Sequence, residues 1–250
     1  MRGKITRRRL IAGGLAASAS GTALFLARRN SLIPPDHGGL FGVEETLTYA
    51  SHRVLLHNQP LAREFSRDQI SKNFPAINTV MPEDDDYRRQ MAGGFKTWRL
   101  AVDGLVAQPR ELSLAELKAF PSRTQITEHI CEAGWSAISE WTGVQLSVVL
   151  DAVRIRPDAK FVMLYSVDGW WDSLDMEDAR HPQTLLAYGM NGEDLPVPHG
   201  APVRLRVERQ LGYKNLKYLS GFTVADSLKD FGKGQGAQGA ENGYSWYAGI

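Results

Sequence analysis

The chain has 250 residues with 29 basic and 28 acidic side chains, which gives a formal net charge of +1 at pH 7. No basic tract lies beyond the first 29 residues, so an electrostatic surface for nucleic acid is excluded and we predict no nucleic-acid partner. After the leader described below, about 220 residues remain, which is enough to bury one core. We therefore predict a single domain over residues 30–250, present as a monomer.

Residues 1–29 have the composition of an export leader. An arginine triplet at 7–9 precedes the uncharged residues 10–27, and two arginines follow at 28 and 29. This order resembles a twin-arginine signal, the address of a route that exports folded proteins. A membrane anchor is the alternative, because the uncharged stretch is near the lower limit for a bilayer span. We predict a periplasmic protein whose leader is either removed or kept as a tether to the inner membrane.

Regular elements are predicted mainly in the second half of the chain. Residues 28–75 lack hydrophobic periodicity, which predicts extended chain and turns, and residues 82–86 are predicted to form a solvated acidic loop. Strands are predicted near 98–102, 124–130, 160–167, 184–190, 203–207 and 219–224, and short helices near 113–120 and 145–153. Strands and helices do not alternate regularly, so we predict an α+β fold with a mixed or antiparallel sheet.

Three local signals support this pattern. Ser113 and Glu116 have the spacing of a capping box, and Pro121 ends the helix that they begin. The pair Asn191-Gly192 is the strongest short signal for a hairpin turn. The aromatic residues at 244–247 are predicted to pack against the body of the protein, since exposed aromatic clusters are unfavourable.

Cys131 is the single cysteine of the chain. In an exported protein it is a buried structural thiol, an intermolecular link, or a thiolate that binds a metal. His129 precedes it on the same strand face, Gly134 allows close approach, and Trp135 can wall off a pocket. One cysteine excludes a Cys-only zinc site and an iron–sulfur cluster. A soft metal bound here would have to be shared with a bulky cofactor.

A second group of candidate residues lies between positions 191 and 218. It provides donors and cations together with glycines that let backbone N–H groups approach an anion: Asn191, His199, Gly200, Arg204, Gly212, Lys214 and Lys217. Arginine binds phosphate in a bidentate manner, and lysine supplies a point charge. The pattern predicts a pocket for a phosphorylated ligand. The alternative is a plain hairpin followed by a solvated basic face.

Five segments occur in one order: Cys131–Leu146, Asp168–Trp170, His181–Pro196, His199–Leu205 and Gly212–Tyr218. In this order and spacing the chain resembles the sulfite oxidase-type molybdopterin oxidoreductases over residues 74–226. The resemblance implies the family's α+β, sulfite oxidase-like molybdopterin-binding fold, with mixed β-sheets, short helices and a core within residues 74–226. It also implies a molybdenum cofactor in which Cys131 binds the metal beside two sulfurs of one pterin dithiolene.

The resemblance also assigns the remaining cofactor residues. The pterin phosphate is held by His199, Arg204, Gly212, Lys214 and Lys217 in the matching segments. His181 and Asn191 match positions near the pterin. Asn78 belongs to the segment Phe74–Asn78, which looks like an upstream segment that also touches the cofactor.

One departure from the family indicates the substrate. Sulfite oxidases place arginines directly after the cysteine to hold a doubly charged anion, whereas Glu132 follows here and the next arginine is Arg154. A dianion without a partner in an aromatic pocket is costly. We therefore expect an enzyme that reduces neutral S- or N-oxides in a pocket formed by Trp135, Trp170 and Tyr213. The chain looks more like the short periplasmic branch that includes the catalytic subunit of protein methionine sulfoxide reductase.

The expected partners follow from this interpretation. The substrate is a small-molecule oxide or a protein sulfoxide, and electrons come from a membrane or periplasmic donor such as a haem protein. Two alternatives stay open: oxidation of a small sulfur compound with electrons passed to a cytochrome, and a molybdopterin-binding module without turnover. The proton donor is not decided, since Glu132, Glu140, His129 and His181 are all candidates.

Overall fold

The computed structural model of the protein describes residues 22–29, 31–35, 42–57 and 61–250. The arginine triplet and most of the uncharged leader stretch lie outside these residues. Residues 22–29 are helical, and Leu24, Phe25 and Leu26 on this helix are exposed. Among the described residues, no helix has the length and apolar character needed to cross a bilayer.

Two five-stranded sheets form the framework. The strands are β1 (Arg99–Gly104), β2 (Arg110–Ser113), β3 (Ser122–Ile130), β4 (Ser136–Gln145), β5 (Phe161–Ser166), β6 (Trp171–Asp175), β7 (Leu185–Met190), β8 (Glu193–Asp194), β9 (Arg204–Arg206) and β10 (Leu219–Ala225). One sheet has the order β2-β1-β10-β5-β6, and the other has the order β3-β4-β7-β8 with β9 also pairing with β7. The β1–β10 pair is parallel and the other pairs are antiparallel, which makes the first sheet mixed.

Short helices connect and cover the sheets. They are α1 (Val43–Leu55), α2 (Asp85–Ala92), α3 (Leu114–Ala119), α4 (Leu146–Ala152), α5 (Met176–Ala179) and α6 (Gln238–Glu241), with 3-10 turns at Arg67–Gln69, Val197–His199 and Gly212–Lys214. Helix α3 begins at the predicted capping box, in which the Glu116 N–H donates to Ser113 Oγ and the Ser113 N–H donates to Glu116 Oε2. The predicted α+β architecture with mixed sheets and short helices is confirmed.

The main core lies between the two sheets. Leu100 and Phe222 from the first sheet belong to one buried cluster with Val144, Leu186 and Leu205 from the second. Burial of a side chain of this kind stabilises the fold by about 1.5–3 kcal/mol. Since both sheets contribute to one core, the loops at their edges are held in a fixed relation.

One expectation for the first third of the chain is wrong, and a second holds for only part of its range. Residues 43–55 form a helix rather than extended chain, because its buried face presents Tyr49 and Arg53, which find partners far away in sequence. The acidic segment at 82–86 is the start of α2 rather than only a loop, because Asp84 caps the helix by accepting the Tyr87 N–H at 2.6 Å.

The C-terminal aromatic residues pack on the body of the protein, as predicted. Trp246 and Tyr247 form a second buried cluster with Tyr49, Phe161 and Met163. The Tyr49 and Tyr247 ring centroids lie 4.8 Å apart. The C-terminal segment therefore joins α1 to the first sheet.

Candidate functional site

The single cysteine lies in a tight turn between β3 and β4. The Cys131 N–H donates to the Trp135 carbonyl at 2.9 Å, and the Gly134 N–H donates to the Cys131 carbonyl at 3.1 Å. Gly134 has φ +88°, a left-handed conformation that favours glycine. The Cys131 side chain is buried at 4% exposure. Burial raises the pKa of the Cys131 thiol, although the Ala133 N–H that points at its sulfur opposes this increase.

Cys131 opens into a cleft that we call the thiol cleft. Six of the nine residues predicted to hold a cofactor line it: Asn78, Cys131, His199, Arg204, Gly212 and Lys217. The thiol cleft continues past Asn78 and Tyr213 into a wider cavity of about 560 Å³ that reaches Trp170 and Tyr244. This volume is within the ordinary range for small-molecule and cofactor sites.

Phe74 organises the aromatic wall of the thiol cleft. Its ring centroid lies 5.4 Å from those of His129, Trp141 and His199, and 5.8 Å from that of Trp135. The edge-to-face contacts with Trp135, Trp141 and His199 are the favourable geometry for aromatic pairs. The predicted segment at 74–78 thereby reaches the cysteine from a distant part of the chain.

Three cationic or basic side chains in the thiol cleft have depressed pKa values. Burial, with the nearby Arg206, lowers the pKa of Arg204 to about 9. Burial, with Arg204, lowers the pKa of Lys217 to about 8 and that of His199 to about 4. Within the described part of the chain, neither Arg204 nor Lys217 forms an ion pair. The cleft therefore carries buried positive charge that an anion would neutralise.

The Arg204 side chain is fixed but incompletely paired. Its Nη1 donates to the His199 carbonyl at 3.0 Å and its Nη2 donates to the Asn215 carbonyl at 3.1 Å. Its buried Nε has no hydrogen-bond partner within the described residues. An unsatisfied buried donor on a charged group is costly, and a bound anion would satisfy it.

Lys217 acts in the same cleft mainly through its charge. Its ammonium donates to the carbonyls of Ile77 and Pro198, at 2.8 and 3.2 Å, and to the carbonyl of Thr79. These bonds tie the upstream segment to the 3-10 turn at Val197–His199. Among the residues that the structure describes, no carboxylate contacts this positive charge beside the cleft.

Gly212 lines the thiol cleft, and its backbone lies close to the side chains of His129 and Glu132. A Cβ atom at this position would lie 2.9 Å from His129 Nε2 and 3.1 Å from Glu132 Oε2. Only glycine lets the backbone pack this closely against the His129 and Glu132 side chains.

A buried chain of hydrogen-bonded side chains that was not predicted from the sequence connects His129 to Arg206 and Glu208. Arg206 Nη1 lies 2.8 Å from His129 Nδ1, and Glu208 pairs with the same guanidinium at 2.7 Å. Burial, reinforced by Arg206 and Arg204, strongly lowers the pKa of His129, so the imidazole is neutral. The sequence contains a signal for it, since Arg204, Arg206 and Glu208 alternate, with the two arginines on β9 and Glu208 two residues beyond.

Three predicted residues do not line the thiol cleft. Lys214 is buried, and its ammonium pairs with Asp172 and donates to the Ser173 and Trp246 carbonyls at 2.8 and 3.0 Å. Asn191, in the β7–β8 turn, accepts hydrogen bonds from Ser139 Oγ and the Glu140 N–H at 2.9 and 3.0 Å. It lines a neighbouring cavity that shares Phe74 and His199 with the thiol cleft. His181 is buried after α5, where its Nδ1 accepts the Gln183 N–H at 3.2 Å.

The donor set fits a metal cofactor that also carries phosphate. The thiol of Cys131 is a soft ligand for a transition metal. Arg204 has a buried Nε–H without a partner among the described residues, and the Gly212 backbone lines the same cleft. One cleft therefore combines a soft metal ligand with positive charge and donors for an anion.

Comparisons with known proteins agree with this chemistry. A family profile described as "Oxidoreductase molybdopterin binding domain" matches residues 88–230. The chain is 38% identical over 189 residues to the "Putative protein-methionine-sulfoxide reductase subunit YedZ1" of Azospira oryzae, covering 76% of this chain and 68% of the relative. It is 26% identical over 211 residues to the protein-methionine-sulfoxide reductase catalytic subunit MsrP of Campylobacter jejuni, covering 76% of this chain and 69% of that protein.

A solved structure has a similar fold. The sulfane dehydrogenase SoxCD from Paracoccus pantotrophus superposes with a TM-score of 0.51 at 27% sequence identity. The match covers 53% of this chain and 39% of that chain. The similarity thus concerns a part of the larger protein.

Proposed function

Because the chain belongs to the family of oxidoreductases with a molybdopterin-binding domain, we propose that it reduces S- or N-oxides with electrons from an external donor. The observation that carries the proposal is the meeting of the sole cysteine with the unpaired cations Arg204 and Lys217 in one cleft. When bound, the molybdenum cofactor supplies oxygen-atom transfer and the exchange of two electrons.

The proposal gives each residue of the cleft a task. Cys131 provides the protein's thiolate ligand to the metal, beside one pterin dithiolene. Arg204, Lys217, His199 and the backbone at Gly212 bind the phosphate, because the two cations supply positive charge and the imidazole and backbone supply donors. Asn78 contacts the pterin from the upstream segment.

The three predicted residues outside the thiol cleft have supporting positions. Lys214 holds the loop that contains Gly212 through its bonds to Asp172 and Trp246. Asn191 fixes the β7–β8 turn beside His199 and the strand that carries Glu140. His181 organises the chain after α5. We propose that these three orient residues that touch the cofactor.

A neutral oxide is the substrate that this site supports best. Trp135 and Tyr213 line the thiol cleft and Trp170 lines the adjoining cavity, so the walls are aromatic. The arginine that does reach the thiol cleft, Arg204, is buried and is committed to the phosphate in this proposal. A sulfoxide has no net charge and requires hydrogen-bond donors rather than counter-ions. The names of two relatives, which are protein-methionine-sulfoxide reductase subunits, support an S-oxide.

The location and partners are part of the same proposal. The leader pattern at residues 1–29 supports export by the twin-arginine route after cofactor insertion, with a periplasmic site of action. The electron donor is a membrane or periplasmic haem protein. The substrate is a small-molecule sulfoxide or a methionine sulfoxide within a protein, and the enzyme acts as a monomer.

Metal analysis and activity of a Cys131→Ser variant test the proposal. The protein purified from a molybdenum-competent host is expected to contain molybdenum and to oxidise reduced viologen when a sulfoxide is added. Cys131→Ser removes the thiolate but keeps a small side chain, so we expect at least a hundredfold loss of turnover with an unchanged circular dichroism spectrum. Full turnover by the variant, or wild-type protein without molybdenum and pterin, would contradict the proposal.

The same material separates the second candidate function. The fold similarity to a sulfane dehydrogenase favours oxidation of a small sulfur compound as the alternative. Reduction of cytochrome c with sulfite, in the absence of sulfoxide reduction, would favour that alternative. Bound molybdenum without activity in either assay would indicate a binding module.

A further inference from the structure

Helix α1 presents a row of apolar side chains to the outside of the protein. Val43, Leu47 and Val54 are between 57% and 72% exposed. Their spacing along the helix places them on one face. We call these three residues the α1 apolar row. Leu55, at the end of the helix, is also exposed and extends the apolar surface beside the row.

The polarity of α1 is the reverse of that of an ordinary surface helix, whose apolar face points to the core. The side of α1 that faces the protein carries Tyr49 and Arg53, both buried. Tyr49 Oη donates to Asp175 at 2.7 Å, and the Arg53 guanidinium pairs with the same carboxylate at 2.9 Å. These contacts fix the rotation of α1 about its axis. The apolar row cannot turn inward without breaking a buried ion pair, which is costly.

Exposed apolar surface is concentrated in this part of the chain. Of the thirteen large apolar side chains that are exposed among the described residues, eight lie between positions 24 and 61. Three of them, Leu24, Phe25 and Leu26, are on the helix at 22–29, where the uncharged stretch 10–27 ends. A concentration of this kind marks an interaction surface, whereas single apolar residues scattered over a surface do not.

The position of α1 in the chain indicates a lipid bilayer as the partner. Thirteen residues, 30–42, separate the helix at 22–29 from α1, and even a fully extended chain of that length spans only about 50 Å. A leader that is kept in the inner membrane as a tether therefore holds α1 close to the bilayer surface. Arg28 and Arg29 are exposed directly after the uncharged stretch, which is where basic residues meet lipid head groups.

A second copy of the chain is a poorer partner for the apolar row. Helix α1 has 13 residues, which gives it a length of about 20 Å and, at a helix diameter of about 10 Å, an outer face of about 200 Å². A stable protein–protein interface buries about 800 Å² on each partner. Binding to a bilayer has no such minimum, because its strength increases continuously with the apolar area that enters the lipid.

We propose that the α1 apolar row is a membrane contact that inserts among the phospholipids of the bilayer to which the leader tethers the protein. Burial of apolar surface drives this contact. Attraction to anionic lipid is not its main cause, since Glu44 and Glu45 lie in the first turn of α1. The contact gives the tethered protein one orientation on the membrane. It does not depend on the reaction in the thiol cleft.

Fluorescence quenching by lipid tests the contact in the full chain. Leu47→Trp adds an indole to the apolar row, and phosphatidylcholine vesicles with brominated acyl chains quench an indole that enters the hydrocarbon region. The emission that the variant adds to that of the six native tryptophans is expected to fall by roughly half or more on these vesicles. Val80→Trp is the matched control, because Val80 is exposed outside the row, and its added emission should not be quenched.

A second variant tests whether the row acts as a unit. Val43→Gln and Val54→Gln, introduced together with Leu47→Trp, remove the neighbouring apolar side chains and keep good helix formers. Most of the quenching at position 47 is expected to be lost, with an unchanged circular dichroism spectrum. Absence of quenching in Leu47→Trp alone, or equal quenching in Leu47→Trp and Val80→Trp, would overturn the membrane contact. A dimer in sedimentation equilibrium that disappears in Leu47→Gln would overturn it in favour of a second copy.

Discussion

Two largely buried regions of this protein differ in their charge: basic side chains are in excess in one, and acidic side chains are in excess in the other. In the thiol cleft, Arg204 and Lys217 lie next to His199, and neither cation forms an ion pair with any residue in the described ranges. Under the C-terminal segment the cations are paired or outnumbered by acids. We call that second region the C-terminal network, and its members are Arg53, Asp172, Asp175, Glu177, Asp178 and Lys214.

The difference separates structural charges from functional ones. A buried ion pair that is complete within the protein needs no ligand, and breaking it leaves an uncompensated charge. A buried cation without a partner weakens the free protein and is retained where a ligand supplies the missing charge. Lys214 forms a complete ion pair with Asp172, whereas Lys217, three residues later, belongs to the thiol cleft.

The largest expected effect comes from breaking the C-terminal network at Lys214. Burial raises the pKa of Asp172, and the Lys214 ammonium opposes this increase. Lys214→Met leaves that carboxylate buried without its cation, so the free energy of unfolding is expected to fall by about 3–5 kcal/mol. Urea denaturation followed by circular dichroism measures the loss.

The chain offers a matched surface pair as the control. Lys118 and Asp194 lie 2.7 Å apart, but their side chains are 37% and 86% exposed. Lys118→Met is expected to cost less than about 1 kcal/mol. Equal losses in the two variants would contradict the claim that Lys214 has a structural role.

Lys217→Met is expected to act on cofactor retention rather than on folding. Its removal relieves a half-buried charge that has no ion pair among the described residues, and it costs hydrogen bonds to the Ile77 and Pro198 carbonyls, so the unfolding free energy of the cofactor-free protein should change by only about 1 kcal/mol. Loss of one positive charge at the phosphate site should lower the molybdenum retained after dialysis about tenfold relative to wild type.

Lys229, an exposed lysine in the segment after β10, gives the control for Lys217. Lys229→Met should keep both stability and molybdenum at the wild-type level. A Lys217→Met protein that retains the full molybdenum content would mean that this ammonium serves only to tie the upstream segment to the cleft.

The sequence pattern correctly predicted those elements that are determined by residues close together in the chain. The capping box that begins α3 and the Asn191-Gly192 turn between β7 and β8 depend on residues a few positions apart, and both occur as predicted. Helix α1 was missed because its buried face is stabilised across the chain: Tyr49 donates to Asp175, 126 residues away. Single-sequence periodicity contains no information about such a partner.

The same limit applies to the candidate site. Six of the nine residues chosen from the family resemblance line one cleft. The resemblance did not distinguish Lys214 from Lys217, since the direction of Lys214 is decided by Asp172 on β6, 42 residues earlier. The roles of Arg206 and Glu208 likewise depend on contact with His129, 77 residues before Arg206.

The last expected effect is a pair of opposite pH dependences between pH 4 and pH 7. Burial, with Asp175, raises the pKa of Asp178 to about 6 from 3.8, so its contribution to stability is complete below about pH 4 and is lost as the pH rises through 6. Burial, with Arg204 and Lys217, lowers the pKa of His199 to about 4 from 6.5. Its contribution is complete above about pH 6.5 and is lost as the pH falls through 4.

The two variants should therefore change the pH profile of the cofactor-free protein in opposite directions. Relative to wild type, Asp178→Asn is expected to gain stability as the pH rises from 4 to 7, because the buried carboxylate no longer has to ionise. His199→Phe keeps a ring against Phe74 and is expected to gain stability relative to wild type as the pH falls, because folding of the variant no longer requires an imidazolium to give up its proton. Urea denaturation at pH 4, 5, 6 and 7 measures both trends. Parallel profiles for the two variants would mean that the regions do not differ in charge balance, since an excess of acid and an excess of base cannot respond to protons in the same sense.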